Sequence, residues 1–138
     1  MPGDPVAVKA NPSGRLHVRV KDAQGKPLTA ALTLQSGLGA GLRDGVVLYE
    51  AVHDGDRTVT VAPGQYTANV AHGLSWTLDR QDVTVPSGGT AELVATIAPA
   101  YDTPGALALN THEHSERSPD SSVTVEDRVW NALANGID

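Results

Sequence analysis

RLHVRVKDAQGKPLTAALTLQ, residues 15–35, carries the pattern that decides the fold. Arg15 to Val20 alternates polar and apolar residues without a break, which is the signature of a half-buried strand with Leu16, Val18 and Val20 inward. Asp22-Ala23-Gln24-Gly25-Lys26-Pro27 is a cluster of turn formers. Thr29 to Gln35 alternates again, with Ala30, Leu32 and Leu34 on one face, and predicts a second strand joined to the first as a hairpin.

The same rhythm continues downstream. Strands are expected at about Val46 to Ala51 and Arg57 to Val61, joined by Asp54-Gly55-Asp56, and then from Tyr66 to Ala71 after the tight turn Ala62-Pro63-Gly64-Gln65. Leu78 to Val85 and Thr90 to Ile97 flank Pro86-Ser87-Gly88-Gly89 and predict a closing hairpin. Short alternating segments with turn signals every 8 to 12 residues or so predict a mainly β chain folded as an antiparallel β-sandwich. Upstream, Pro2, Pro5, Pro12 and Gly14 mark residues 1–14 as a loose N-terminal arm, with room for one short edge strand at Val6-Ala7-Val8. Met1-Pro2-Gly3-Asp4-Pro5 resembles a start following a trimmed leader or an upstream domain. The sandwich is expected over residues 15–98 and a Pro- and Gly-containing linker over 99–105.

Composition narrows the function classes. The 138 residues carry a net charge of −6 with scattered Lys and Arg, which argues against a nucleic-acid or anionic-membrane partner. There is no cysteine, so neither a disulfide framework nor a thiolate metal site is available. No apolar run approaches the roughly 18 residues of a membrane-spanning helix. Phe is absent and aromatics make up 4%, leaving the core to Val, Leu and Ala.

Gly37 to Gly45 reads as a mobile glycine-rich loop. A phosphate cradle would need a helix directly after it, whereas Val46-Val47-Leu48-Tyr49 is β-type. Asp44, Asp54 and Asp56 are acidic turn residues without a complete calcium loop around them. His17, His53 and His72 are dispersed and read as surface residues, and Trp76 as a sandwich-edge or binding-surface side chain.

The chemistry gathers in residues 106–138. Leu107 and Leu109 alternate into Asn110-Thr111-His112-Glu113-His114, so in an extended strand both imidazoles project on one face with Glu113 on the other, structural or solvated. Paired imidazoles of this kind suit a divalent transition metal. The bland alternative is two exposed or capped histidines at a strand end. Asp120 either caps the loop or contacts a metal or substrate, and Ser115 and Ser118 read as loop hydrogen-bonders because no base is placed to activate them. Thr124 is positioned to cap a helix, with Asp127 three residues on and Val125, Val129, Trp130 and Leu133 as its apolar stripe. Asn135-Gly136 is the stop signal.

Asp102-Thr103-Pro104-Gly105, His112-x-His114-Ser115, Ser118-Pro119-Asp120-Ser121, Glu126-Asp127-Arg128-Val129 and Gly136-Ile137-Asp138 stand in an order that resembles the start of CehA/McbA-like metallohydrolases, in the PHP (polymerase and histidinol phosphatase) superfamily. Asn110 occupies the position where that group usually has an acid, and the family's second strand and Thr-Asp-His motif would lie past Asp138. Val20-x-Asp22-x-x-Gly25-x-Pro27, Val61-Ala62-Pro63-Gly64-Gln65-Tyr66 and Val83-x-Val85-x-x-Gly88 resemble a carboxypeptidase-regulatory or transthyretin-like domain, which commonly precedes the metallohydrolase module.

The resemblance implies an Ig/transthyretin-like sandwich followed by a truncated βα unit, the first strand and helix of an incomplete PHP-type catalytic module. It implies His112 and His114 as ligands of Zn or Mn in the complete protein, with Asp120 a further metal or substrate contact. The parent would be a metal-dependent hydrolase acting on a small phosphate- or ester-containing substrate through a metal-activated water. This chain alone is expected to bind metal weakly or not at all and to be inactive. The alternative is a non-catalytic sandwich used for binding or spacing in an extracytoplasmic protein, and a periplasmic or secreted location is the expectation. Leu107, Leu109, Val129, Trp130 and Leu133 cannot be buried by one strand and one helix alone, so the tail must fold back on the sandwich, pair with another copy or remain mobile; a homodimer through residues 106–138 or high mobility beyond about Asp102 is the expectation.

Overall fold

The computed structural model describes residues 12–41 and 45–138. The expected strand at Val6-Ala7-Val8 and the turn residue Asp44 lie outside the described residues. Seven strands and one α-helix follow in order: β1 (Gly14–Lys21), β2 (Ala30–Ser36), β3 (Val46–Val52), β4 (Asp56–Val61), β5 (Gly64–Ala71), β6 (Asp79–Val85), β7 (Thr90–Thr96) and α1 (Val125–Ala134). A 3-10 turn, His53–Gly55, separates β3 from β4.

The strands form two sheets, ordered β4-β1-β7 and β3-β2-β5-β6. Their facing sides make one core of Leu16, Val18 and Val20 from β1, Leu32 and Leu34 from β2, Val70 from β5, Val85 from β6, Leu93 from β7 and Ile97 just beyond it. The inward set on β1 and β2 is the one that the alternation dictates, because a strand with one wet face must place every second side chain in the core. The partition of strands differs from that of a constant-type immunoglobulin domain, in which the first, second, fourth and fifth strands share a sheet.

Three sequence expectations are corrected here. Neither β1–β2 nor β6–β7 is a hairpin, since in each case the intervening turn carries the chain from one sheet to the other. The first crossing is held by Asp22, whose carboxylate accepts the amides of Gln24 at 2.9 Å and Lys26 at 2.8 Å. The sandwich is also not purely antiparallel: β7 returns beside β1 in parallel, with Leu16 opposite Ala91 and Val18 opposite Leu93. Turn residues show where the chain reverses, but not whether it pairs with itself or changes layer.

The outer face of the four-stranded sheet is covered too. Alongside Ala31 and Ala51, the polar side chains Gln35, Thr67 and Asn69 are buried there. At one end, residues 37–41 of the glycine-rich loop lie over the sheet. Ala40 N–H donates to Thr67 Oγ1 at 3.1 Å, Gly39 N–H donates to Asp82 at 3.0 Å, and Asn69 Nδ2 donates to Gln35 at 2.8 Å. At the other end α1 docks on the alanines, where small side chains let a helix approach closely.

Candidate metal centre

Helix α1 starts where the sequence places it. Thr124 Oγ1 accepts the Asp127 amide at 3.0 Å and gives its own proton to the Asp127 carboxylate at 2.7 Å, so cap and first turn hold each other. Ala134 is fully buried against Ala31 and Ala51, and Trp130 stacks on His53 with ring centroids 4.2 Å apart and planes 10° apart. Asn135 Nδ2 donates to the Tyr49 hydroxyl at 2.7 Å, pinning the end of the helix to β3. Gly73 completes the seat: its φ is +71°, and a Cβ there would run into the Asn135 carbonyl. The tail is docked on the sandwich, the fold-back arrangement that the sequence leaves open beside pairing with a second copy or mobility.

The docking is one-sided. Leu107 (73%), Leu109 (70%), Val129 (52%) and Leu133 (41%) stay exposed, so the helix meets the sheet through Trp130 and Ala134 instead of its whole apolar stripe. The strand expected at Leu107–Leu109 is not formed within a sheet. A strand exists only through its ladder, and here the Ala108 carbonyl accepts the Asp138 amide at 3.0 Å while Ala108 N–H donates to the Asp138 carboxylate at 2.7 Å. An open cleft of about 700 Å³ lies beside this segment, lined by Leu74, Trp76, Tyr101 and Leu133 among others.

His112 and His114 are brought together. Their Nε2 atoms are 2.7 Å apart, with ring centroids at 4.7 Å and planes tilted by 47°. The loop after them folds back through Ser118 N–H to the Ser115 carbonyl at 2.7 Å and Glu116 N–H to the Val123 carbonyl at 2.7 Å. That fold carries Asp120 to His114, with Oδ1 2.8 Å from Nδ1. Ser115 Oγ accepts the Arg117 amide at 3.3 Å. The tautomers are assigned from these contacts: in a neutral His114 that gives Nδ1–H to Asp120 the lone pair stays at Nε2, and His112 then supplies the proton shared between the rings. A carboxylate on the far nitrogen of an imidazole is also the usual way of orienting a metal-ligating histidine.

Glu113 points away from the rings but is not merely solvated. It accepts from Asn110 Nδ2 and lies 3.5 Å from Arg128 Nη1, while Arg128 Nε donates to the His114 carbonyl at 2.5 Å. The Asn110 side chain in turn accepts the His112 amide at 3.1 Å.

Two imidazoles are the donor type that a divalent metal takes, and to ligate one, His112 would have to give up the Nε2 proton that it shares with His114. Among the described residues no group of three or more His, Cys, Asp or Glu is arranged to hold an ion, so the pair amounts to two ligands where zinc takes three or four.

The dispersed histidines find partners that the sequence does not advertise. His17 sits between Asp56, 3.1 Å from Nε2, and Glu92, 2.9 Å from Nδ1, bridging all three strands of its sheet. The hydrogen bond to Asp56, aided by Glu92, raises its pKa above the ordinary histidine value. His72 meets Trp76 edge-on at 4.9 Å, and burial pushes its pKa down. Gly39 N–H and the Thr67 hydroxyl hold the Asp82 carboxyl below the usual carboxylate range.

Neither a protein-family profile nor a curated protein matches this chain. Among solved structures it is similar to the crystal structure of GBS52, the minor pilin in the Gram-positive pathogen Streptococcus agalactiae, at 14% identity and a TM-score of 0.50. The likeness covers 72% of this chain and 49% of that one, so the chain spans about half of that protein's length. At such identity the likeness concerns the fold, a mainly β, two-sheet sandwich. No helix among the described residues is long and apolar enough to cross a membrane.

Proposed function

We propose that this chain joins a β-sandwich accessory domain to the opening unit of a PHP-type metal-dependent hydrolase. The observation that carries the reading is the convergence of the His112 and His114 Nε2 atoms at 2.7 Å, with Asp120 on the far nitrogen of His114. His112 and His114 would hold one divalent ion, Zn or Mn, together with ligands from further segments of the parent protein or a neighbouring chain. When bound, the ion supplies a water of lowered pKa and polarises a phosphoryl or carbonyl oxygen of a small phosphate- or ester-containing substrate. Asp120 is assigned to orienting His114 in place of direct ligation, because its Oδ1 is already engaged at Nδ1.

The hydrogen bond from the Asp138 amide to the Ala108 carbonyl supports the βα reading, since it sets the end of α1 alongside the extended segment that precedes it. Leu107, Leu109, Val129 and Leu133 are where the remainder of a catalytic module, or a second copy of the tail, would pack. A second reading, a non-catalytic spacer or binding module of a periplasmic or secreted protein, rests on the two-sheet sandwich that makes up most of the described residues.

Zinc added in slight excess to the 15N-labelled protein distinguishes them. The first reading expects the His112 and His114 ring nitrogens to shift at Nε2, and the shift to vanish in His112→Ala. Unmoved ring resonances take away the main support of the first reading in this chain. Metal-dependent phosphodiester turnover by the pure monomer would contradict the expectation that this chain alone is inactive.

A further inference from the structure

We propose that Arg128 is a positioning residue for the imidazole pair, acting through a clasp with Glu113 and Asn110. Its place in the metal site rests on the hydrolase reading above.

Residues 106–111 lack a ladder, so ordinary strand pairing cannot be what fixes the two histidines. Their backbone is instead held at both ends. The His112 N–H is taken by the Asn110 side chain at 3.1 Å, and the His114 carbonyl receives Arg128 Nε at 2.5 Å. Glu113, between them, ties the two holds together, because one carboxylate oxygen accepts from Asn110 while the other faces Arg128 Nη1 at 3.5 Å. The forked guanidinium is suited to this: one N–H reaches a carbonyl as another faces a carboxylate, which a lysine ammonium cannot reproduce in the same plane. Exposed imidazoles on an unsupported chain would lose their mutual orientation to rotamer entropy. Fixing the backbone on both sides removes most of that freedom, leaving the rings to be set by Asp120.

Arg128 sits two residues before Trp130, about 200° around the helix at 3.6 residues per turn. One side chain therefore grips the sheet while the other grips the histidine loop, and the clasp is anchored on the sandwich.

The test uses the full 15N-labelled chain without metal first. Nuclear Overhauser contacts between the His112 and His114 rings are expected in the unmodified protein and are expected to be lost in Arg128→Ala, with the amide resonances of α1 and the sandwich in place. Glu113→Ala, which leaves the helix untouched, should lose them as well, and Arg128→Lys should restore them only in part. Zinc alone is then added, and removal of the clasp should weaken binding by about 10- to 100-fold, the usual range for residues that orient ligands. Ring contacts that persist in both alanine variants overturn the clasp. Ring contacts that depend on Arg128, with no response to zinc in the unmodified chain, support the clasp and count against the metal reading alone.

Discussion

Replacing Trp130 with alanine should release α1 from the sandwich without unfolding the sandwich itself. An indole buries about 150–250 Å² when fully covered. Trp130 is half-buried, with one face on His53 at 4.2 Å and its edge beside Ala31 and Ala51. Taking about 100 Å² at about 25 cal/mol per Å² gives about 2.5 kcal/mol, and loss of the stacked contact adds about 0.5 kcal/mol or more. Retained contacts of Ala134 and Asn135 soften the effect, so about 2 kcal/mol is the working figure, or about thirty-fold in the docking equilibrium. Native-state amide hydrogen exchange reads this directly. Amides from Val129 to Ala134 should exchange about thirty times faster in Trp130→Ala, while those of Leu32 and Val70 keep their rates. Equal acceleration in helix and strands would mean that α1 and the sandwich open as one unit, and an unchanged helix would mean that Trp130 does not hold it; either result refutes the reasoning.

Other perturbations follow from single contacts. Gly73→Ala, at φ +71° and against the Asn135 carbonyl, should cost at least about 1–2 kcal/mol and appear as the same selective acceleration of α1 exchange. Tyr66→Phe removes the hydrogen bond from the Tyr66 hydroxyl to the Ala62 carbonyl, 2.7 Å long, and should lower sandwich stability in urea by about 0.5–1.5 kcal/mol. The raised pKa of His17 means that its stabilisation is complete below the unfolded value of about 6.5 and is lost as pH rises through the folded value. The thermal midpoint should therefore fall over that interval in the unmodified protein and stay flatter in His17→Gln, with the difference shrinking at high salt. Asp82 works in the opposite sense: its depressed pKa gives stabilisation that is present above about 3.9 and lost as pH falls through the folded value. Asp82→Ala should remove that acid sensitivity and speed exchange at the Gly39 amide.

The parts of the fold that were legible in the sequence are those set by one wet face and one dry face. Leu16, Val18 and Val20, then Ala30, Leu32 and Leu34, could be placed from alternation because water fixes the orientation of each strand. The second burial of β2 and β5 was not legible, since Gln35, Thr67 and Asn69 look outward by composition and are covered only because the loop after β2 folds back over the sheet. Ala31 and Ala51 at outward positions were the available hint of a docked helix. The neighbouring placement of His112 and His114 could be read from their spacing. Asp120 could be named but its role could not, because the reach to Nδ1 depends on how residues 115–123 fold back. Arg128 stood only within the Glu126-Asp127-Arg128-Val129 match with no role attached, and His17 meets partners 39 and 75 residues away that no local pattern connects.

One helix thus links the two halves of the molecule, and that has a measurable consequence. Trp130 and Ala134 hold α1 to the sheet, and Arg128 on the opposite side holds the backbone of the histidine loop. If the clasp acts only while the helix is seated, undocking by Trp130→Ala should loosen the imidazole pair although Trp130 touches neither ring. The two perturbations should then fail to add: once Arg128→Ala has freed the loop, Trp130→Ala has no hold left to break. Ring–ring Overhauser intensities in the two single variants and the double variant measure that coupling. Additive losses would place the helix seat and the clasp in separate equilibria, and the sandwich would then support the site by proximity alone.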